Sequence, residues 1–389
     1  MPVRSWDVFC TVVDNFGDIG VCWRLARQLA QEHGHAVRLW VDDLASFARL
    51  APEIEAGAAR QRLAGVEIRH WTGGRAAAMG DDVVPHDVVV EAFACDLPDD
   101  FLARMAARAT PPAWINLEYL SAEGWVREHH GMASPHPRLP LTKYFFFPGF
   151  EPGTGGVLRE SMLGAQRAAF LSSPAAQARL WHRLGVTPQP GALRISLFSY
   201  GNAAMPALLE QWRDGAGPVQ CIVAGGLSAR QVEAWTGAPA PVGTEYACGN
   251  LRLHVVPFLR QEQYDELLWA CDVNFVRGED SFVRAQWALR PFVWQIYPQD
   301  DDAHRVKLDA FLDAYTTPLR RRGDAGQAAA AALTAFWHAW NGAGDVPQWG
   351  PLHASLQTLA SAAARWEGAM AHVGDLAANL VAFCENRVE

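Results

Sequence analysis

Hydrophobic positions in this chain fall into short, nearly unbroken runs, separated by stretches in which they recur at helical spacing. The first run, Trp6-Asp7-Val8-Phe9-Cys10-Thr11-Val12-Val13, predicts a strand. A polar turn with two glycines follows, Asp14-Asn15-Phe16-Gly17-Asp18-Ile19-Gly20, and then Val21, Leu25, Gln28 and Leu29 mark one face of a helix. The run at 36–41 predicts the next strand and completes a strand–helix–strand unit. Further strands are predicted at 66–69, 87–93, 113–117 and 143–147. Continuous apolar strands with helical intervals indicate a parallel sheet covered on both faces.

The densest Pro/Gly punctuation is Phe147-Pro148-Gly149-Phe150-Glu151-Pro152-Gly153-Thr154-Gly155-Gly156, and the domain boundary is expected there. Beyond it the pattern restarts, with strands predicted at 193–199, 219–224, 251–256, 273–276 and 291–296. Helices are predicted at 261–270, 281–289 and 303–314, and the alanine-rich stretches 325–340 and 353–384 also read as helical. The expected fold class is α/β: a Rossmann-like domain over 1–155, and a second over 156–389 that carries the helical C-terminal tail. The cleft between two such domains is the default place for a ligand.

Composition narrows this reading. Half of the 389 residues are hydrophobic and 19% are charged, which excludes a disordered chain and suits two or three domains. A net charge of −9 argues against broad nucleic-acid binding, which rests on Lys and Arg neutralising phosphates. No apolar run approaches the roughly 18–20 residues of a membrane helix, and the N-terminus lacks a secretory pattern. The seven cysteines are scattered without a Cys-x-x-Cys, so neither a disulfide framework nor a structural zinc site is expected, and a cytoplasmic location is.

Two segments at predicted strand ends carry candidate chemistry. In the first, Asp14 and Asp18 either begin an Asx turn and cap the helix or face a ligand. The glycines there allow close approach, but the segment is not a Gly-x-Gly-x-x-Gly fingerprint, and two carboxylates would repel a diphosphate. The second segment, Arg277-Gly278-Glu279-Asp280-Ser281, precedes a helix. Unpaired N–H groups at that helix start, the permanent charge of Arg277 and the close approach allowed by Gly278 suit a diphosphate. Glu279 would then accept hydrogen bonds from sugar hydroxyls. The alternative is an ordinary helix cap at Asp280 or Ser281 with an Arg–Glu surface pair.

Supporting candidates are Tyr200 and Asn202 after the strand at 193–199, and Phe258 and Gln261 after the strand at 251–256. Each also has a packing or turn explanation. The acid run Asp300-Asp301-Asp302 resembles Asp-x-Asp but also reads as a solvated helix start. His129, His130 and His136 lie in a loop without spaced partner ligands, so no metal site is expected. No P-loop, Gly-x-Ser-x-Gly elbow or His-Glu-x-x-His occurs.

Asp14 to Leu29 together with Arg277-Gly278-Glu279-Asp280-Ser281 resembles EarP, a family of bacterial protein-arginine rhamnosyltransferases that modify translation elongation factor P. Phe198-Ser199-Tyr200, Pro257-Phe258-Leu259-Arg260-Gln261 and Tyr297-Pro298-Gln299-Asp300 resemble it too, in order, so the likeness spans about residues 7–315. The resemblance implies a GT-B glycosyltransferase fold, with the acceptor protein on the N-terminal domain and dTDP-β-L-rhamnose on the C-terminal one. It implies an inverting, metal-independent transfer of rhamnose to an arginine guanidinium, with no cofactor beyond the donor. Asp18 would be the general base and Asp14 a second essential carboxylate. Asn15, Phe16, Gly17, Tyr200, Phe258, Gln261, Arg277, Gly278, Glu279, Asp280 and Ser281 would line the substrate sites. Two alternatives stand beside this reading: a non-catalytic sensor of a nucleotide-sugar, and a GT-B-type sugar-nucleotide epimerase.

Overall fold

The computed structural model of the protein describes residues 4–14, 16–299 and 302–386, and the chain divides into two compact units. The first runs to Ser161 and includes the segment from Ala369 onward; the second is Met162–Gly368.

In the first unit the order is β1 (Ser5–Cys10), α1 (Gly17–Gln31), β2 (Ala36–Val41), α2 (Leu44–Leu50), β3 (Arg60–Leu63), β4 (Val66–His70), β5 (Val88–Ala92), α3 (Asp99–Ala107), β6 (Ala113–Leu117), α4 (Trp125–His129), β7 (Ala133–Pro135) and β8 (Thr142–Phe146). Among the described residues these strands form one sheet, in the order β3-β4-β2-β1-β5-β6-β8-β7. The six inner strands are parallel, and the edge strands β3 and β7 pair antiparallel. β5 and β6 are buried throughout, as their unbroken apolar runs require for a sheet covered on both faces. The one acid within β1, Asp7, is wholly buried and fully engaged. Arg38 binds it through two nitrogens at 2.6 and 2.9 Å, and the indole N–H of Trp40 and the backbone N–H of His86 also donate to it. Asp7 therefore serves the core.

The second unit contains α5 (Leu163–Leu171), α6 (Pro174–Leu184), β9 (Leu193–Leu197), α7 (Met205–Arg213), β10 (Val219–Ala224), α8 (Leu227–Thr236), β11 (Glu245–Cys248), β12 (Leu251–Val256), α9 (Gln261–Ala270), β13 (Val273–Arg277), α10 (Asp280–Trp287), β14 (Phe292–Gln295), α11 (Ala303–Arg320), α12 (Gly323–Trp340), α13 (Trp349–Ala354) and α14 (Leu356–Val373). Its sheet runs β11-β12-β10-β9-β13-β14, parallel except for the edge strand β11. In both sheets the order reverses beside the unit's first strand, between β1 and β5 and between β9 and β13. This is the Rossmann-type switch point, where the loops leaving two neighbouring strands part to opposite faces and leave a crevice.

The helical tail differs from expectation. Within α14 the chain returns to the first unit, and α15 (Leu376–Glu385) packs there, so the assignment of all of 156–389 to the second domain is corrected. The cause is a set of specific bonds. Asp375 caps α15 through the N–H of Ala378 and also accepts from the Arg159 N–H and the Gln28 side-chain amide, both at 2.9 Å. The Asn379 amide donates to the Gly155 carbonyl, and Phe383 packs edge-on against Phe146. Burial raises the Asp375 carboxyl above the ordinary aspartate value, against the pull of the N–H groups it accepts.

Candidate active site

In the first unit the switch point is formed by the turn after β1 and the loops after β5 and β6. Phe16 occupies the N-cap position of α1 without making a side-chain cap, and the Arg49 guanidinium lies 5.5 Å from its ring centre. The Gly17 N–H donates to the Asp14 carbonyl at 2.7 Å, which closes the turn. Asp18, in the first turn of α1, does not cap that helix in the usual sense. Its carboxylate folds back, and Oδ2 accepts the backbone N–H groups of Val13 and Asp14, each at 2.8 Å. Its Oδ1 accepts the Tyr119 hydroxyl at 2.9 Å. Asp18 is 0% exposed and Asp14 8%. Burial pushes the Asp18 carboxyl above its ordinary value, the N–H groups of Asp14 and Val13 and the Tyr119 hydroxyl oppose the rise, and nearby Asp42 adds to it. Asn15 lies outside the described residues.

Tyr119 and Phe93 are site neighbours that sequence reasoning did not single out. Their rings stack at 4.2 Å with 10° between planes, and both are half-buried. Phe93 and its neighbour Ala94 have φ of +56° and +54°, a left-handed conformation that residues with a Cβ rarely hold outside functional loops. Each of these side chains follows a parallel strand at the switch point, and that position is the one signal that would have found them.

In the second unit the switch point gathers residues from β9, β12, β13 and the start of α10. The Arg277 guanidinium lies between two aromatic faces, 4.5 Å from the ring centre of Phe198 and 4.3 Å from that of Tyr200. Stacking of this kind holds a planar cation in place with its N–H edge turned outward from the rings. The Tyr200 backbone N–H donates to the Gln295 side chain at 2.9 Å, and its ring meets Tyr297 edge-on. Gly278 has φ +61°, and its carbonyl accepts the Trp294 indole N–H at 2.8 Å. The Ser281 hydroxyl bonds the Arg277 carbonyl and accepts the Arg277 N–H, fixing the turn into α10.

Arg277 and Glu279, at 6% and 7% exposure, are buried and so are not an exposed surface pair. Glu279 lies 3.5 Å from the Lys307 ammonium. Gln261, first in α9, donates to the Asp280 carboxylate at 3.2 Å. Behind them Arg284 grips Asp265 through two bonds at 2.9 and 2.7 Å, which braces α10 against α9. Phe258 is half-buried and meets Phe198 edge-on. The first site is thus acidic and suits a cation. The second joins a fixed guanidinium, a helix N-terminus and aromatic faces, which suits a nucleoside diphosphate.

Other sequence candidates have ordinary partners. Asn202 donates to the Trp340 carbonyl. His129 and His130 bond the Trp125 and Phe147 carbonyls, and His136 accepts the Arg138 and Leu139 N–H groups. Asp300 and Asp301 lie outside the described residues. Among the described residues no group of three or more His, Cys, Asp or Glu is arranged to hold a metal ion, and no helix is long and apolar enough to cross a membrane.

The profile of a family described as elongation factor P (EF-P) rhamnosyltransferase EarP matches residues 6–385. The protein-arginine rhamnosyltransferase of Pseudomonas putida is 47% identical over 384 residues, covering 98% of this chain and 99% of that protein. The Pseudomonas aeruginosa protein of the same name is 48% identical over 383 residues, with 98% and 99% covered. A solved structure described as the structural basis for EarP-mediated arginine glycosylation of translation elongation factor EF-P is 35% identical, with a TM-score of 0.69 and 99% of both chains covered. The fold class is the one expected, an α/β chain of the GT-B glycosyltransferase type with two Rossmann-like units. The chain belongs to the EarP family, the elongation factor P rhamnosyltransferases.

Proposed function

We propose that this protein transfers L-rhamnose from dTDP-β-L-rhamnose to a guanidinium nitrogen of one arginine in translation elongation factor P, inverting the anomeric carbon and using no metal ion. The observation that carries this reading is the sorting of charge between the two switch points. Carboxylates stand at that of the first unit, and a ring-clamped guanidinium with a helix N-terminus stands at that of the second.

An arginine acceptor is protonated at neutral pH, because its pKa exceeds ~12. No carboxylate removes that proton in advance. The base instead orients the nitrogen and takes the proton as the new C–N bond makes the nitrogen acidic. We assign this to Asp18 at Oδ1, since Oδ2 is committed to the loop N–H groups. Burial, by raising its proton affinity, makes it a better base than an exposed aspartate. Asp18 is enclosed in this structure, so acceptor binding has to open a path to Oδ1. Asp14, with Asn15, Phe16 and Gly17 beside it, holds the rest of the guanidinium. In the second unit Arg277, Gly278 and the N–H groups of Asp280 and Ser281 take the diphosphate and stabilise the charge that develops as it leaves. Tyr200, Phe258 and Gln261 hold the nucleoside, and Glu279 the sugar hydroxyls. The seven cysteines are free thiols, six of them buried, in keeping with a protein of the cytoplasm.

Intact-mass analysis of elongation factor P incubated with this protein and dTDP-β-L-rhamnose tests the reading. One added deoxyhexose, mapped to an arginine, is expected. Asp18→Asn should lower turnover by about two to four orders of magnitude while donor affinity persists. Unmodified acceptor, full activity of the Asn variant, or conversion of the donor without acceptor would each overturn it.

A further inference from the structure

We propose that Tyr119 is a positioning residue for the Asp18 carboxylate, its hydroxyl fixing Oδ1 in place and favouring the ionised form in which Asp18 acts as base. The inference rests on the assignment of Asp18 above. Tyr119 lies 101 residues from Asp18 in sequence, yet its hydroxyl stands 2.9 Å from Oδ1 and is the donor to that oxygen among the described residues. The other oxygen is held by two backbone N–H groups, which cannot move without unfolding the turn. The carboxylate therefore has one rigid side and one side governed by a hydroxyl that can rotate.

What governs the hydroxyl is the ring that carries it. The nearly parallel stack with Phe93 fixes the plane of the Tyr119 ring, and the left-handed conformations of Phe93 and Ala94 aim the Phe93 ring there. Such backbone is costly for residues with a Cβ and persists where the surroundings enforce it. Among the described residues, the charged and titratable groups that face Asp18 are Asp42 beyond β2, which disfavours negative charge there, the Cys10 thiol of β1, which burial and Asp18 keep protonated and so uncharged, and Tyr119 itself. Of these, only Tyr119 favours the ionised state, by donating to it. When Asp18 accepts the acceptor proton at Oδ1, the Tyr119 hydroxyl turns from donating to that oxygen to accepting from it.

Tyr119→Phe removes the hydroxyl and keeps the stacked ring. In the full chain, with carboxyl-labelled aspartate and the Asp18 signal identified by its loss in Asp18→Asn, carbon NMR should show Asp18 titrating at higher pH in the variant than in the wild type. The ratio of wild-type to variant kcat/KM should grow about tenfold from the alkaline plateau to the acid limb, the size expected for one hydrogen bond to a charged group. Phe93→Leu, which keeps the hydroxyl but frees the ring, should move both readouts the same way by less. An unchanged Asp18 titration overturns the proposal, and so does a uniform fall in rate with an unmoved acid limb, which marks a merely structural role. The titration needs no turnover, so it still judges Tyr119 if elongation factor P proves not to be the acceptor.

Discussion

Replacing Arg277 with alanine removes a cation that is 6% exposed and clamped between rings at 4.5 and 4.3 Å. Two consequences are separable. For the free protein, each cation–π contact at a desolvated site contributes about 1–2 kcal/mol, so unfolding in denaturant should become easier by roughly 2–4 kcal/mol. For the donor, losing hydrogen bonds from a charged group to the diphosphate costs about 1.5–3 kcal/mol, a rise in Kd of roughly 10- to 150-fold. Arg277→Lys sharpens the test, because it keeps the charge but has no planar group to fill the slot between Phe198 and Tyr200. That variant should recover part of the donor affinity and little of the stability. Isothermal titration with dTDP-β-L-rhamnose gives the first quantity, and denaturant unfolding without ligand gives the second. Donor binding within about twofold of wild type in a folded Arg277→Ala protein would refute the diphosphate role.

Three further outcomes are expected. Gly278→Ala places a Cβ at φ +61°, which should lower stability by about 1–2 kcal/mol and weaken donor binding as the turn shifts; thermal unfolding with and without donor checks both. Asp375→Ala removes the cap of α15 and the acceptor for the Arg159 and Gln28 donors, so unfolding should cost about 2–3 kcal/mol less, with faster amide exchange across 376–385. Because burial raises Asp18, the folded state holds that proton more tightly than the unfolded chain. Its contribution to stability is greatest below the ordinary aspartate value of about 4 and declines as pH rises through the raised one. Urea unfolding across pH should therefore show wild type losing stability relative to Asp18→Asn as pH increases, and a difference independent of pH would contradict this.

The inner strands were legible because strands buried on both faces need continuous apolar runs. The stretches 113–117, 219–224 and 251–256 coincide with β6, β10 and β12. The edge strands β3, β7 and β11 escaped notice because they are short and alternate between half-buried and exposed, which leaves no such run. The helical stretch read at 353–384 is interrupted at Gly374, whose φ of +104° no helix accommodates, and the direction taken after that break depends on distant partners such as Gln28. The same contrast holds at the sites. Asp14, Asp18 and Arg277 were marked by glycine-bearing turns directly after strands, a local pattern. The partnership of Tyr119 with Asp18 spans 101 residues, and a chain with 16 Trp and 18 Phe gives no local reason to prefer one aromatic over another.

The return of α15 to the first sheet bears on how the protein is made. The ribosome must translate residues 162–368 before that helix exists, which at about 5–20 residues per second takes on the order of ten seconds or longer. Throughout that interval the nascent first unit has Phe146 without the Phe383 ring and a Gln28 amide that still lacks Asp375, while the intervening segment is free to collapse by itself. Nascent chains of this type are natural clients for holding chaperones. Recombinant fragments that stop near residue 161 will lack the same partners and should tend to aggregate unless the 369–386 segment is supplied in trans or fused back across a short linker.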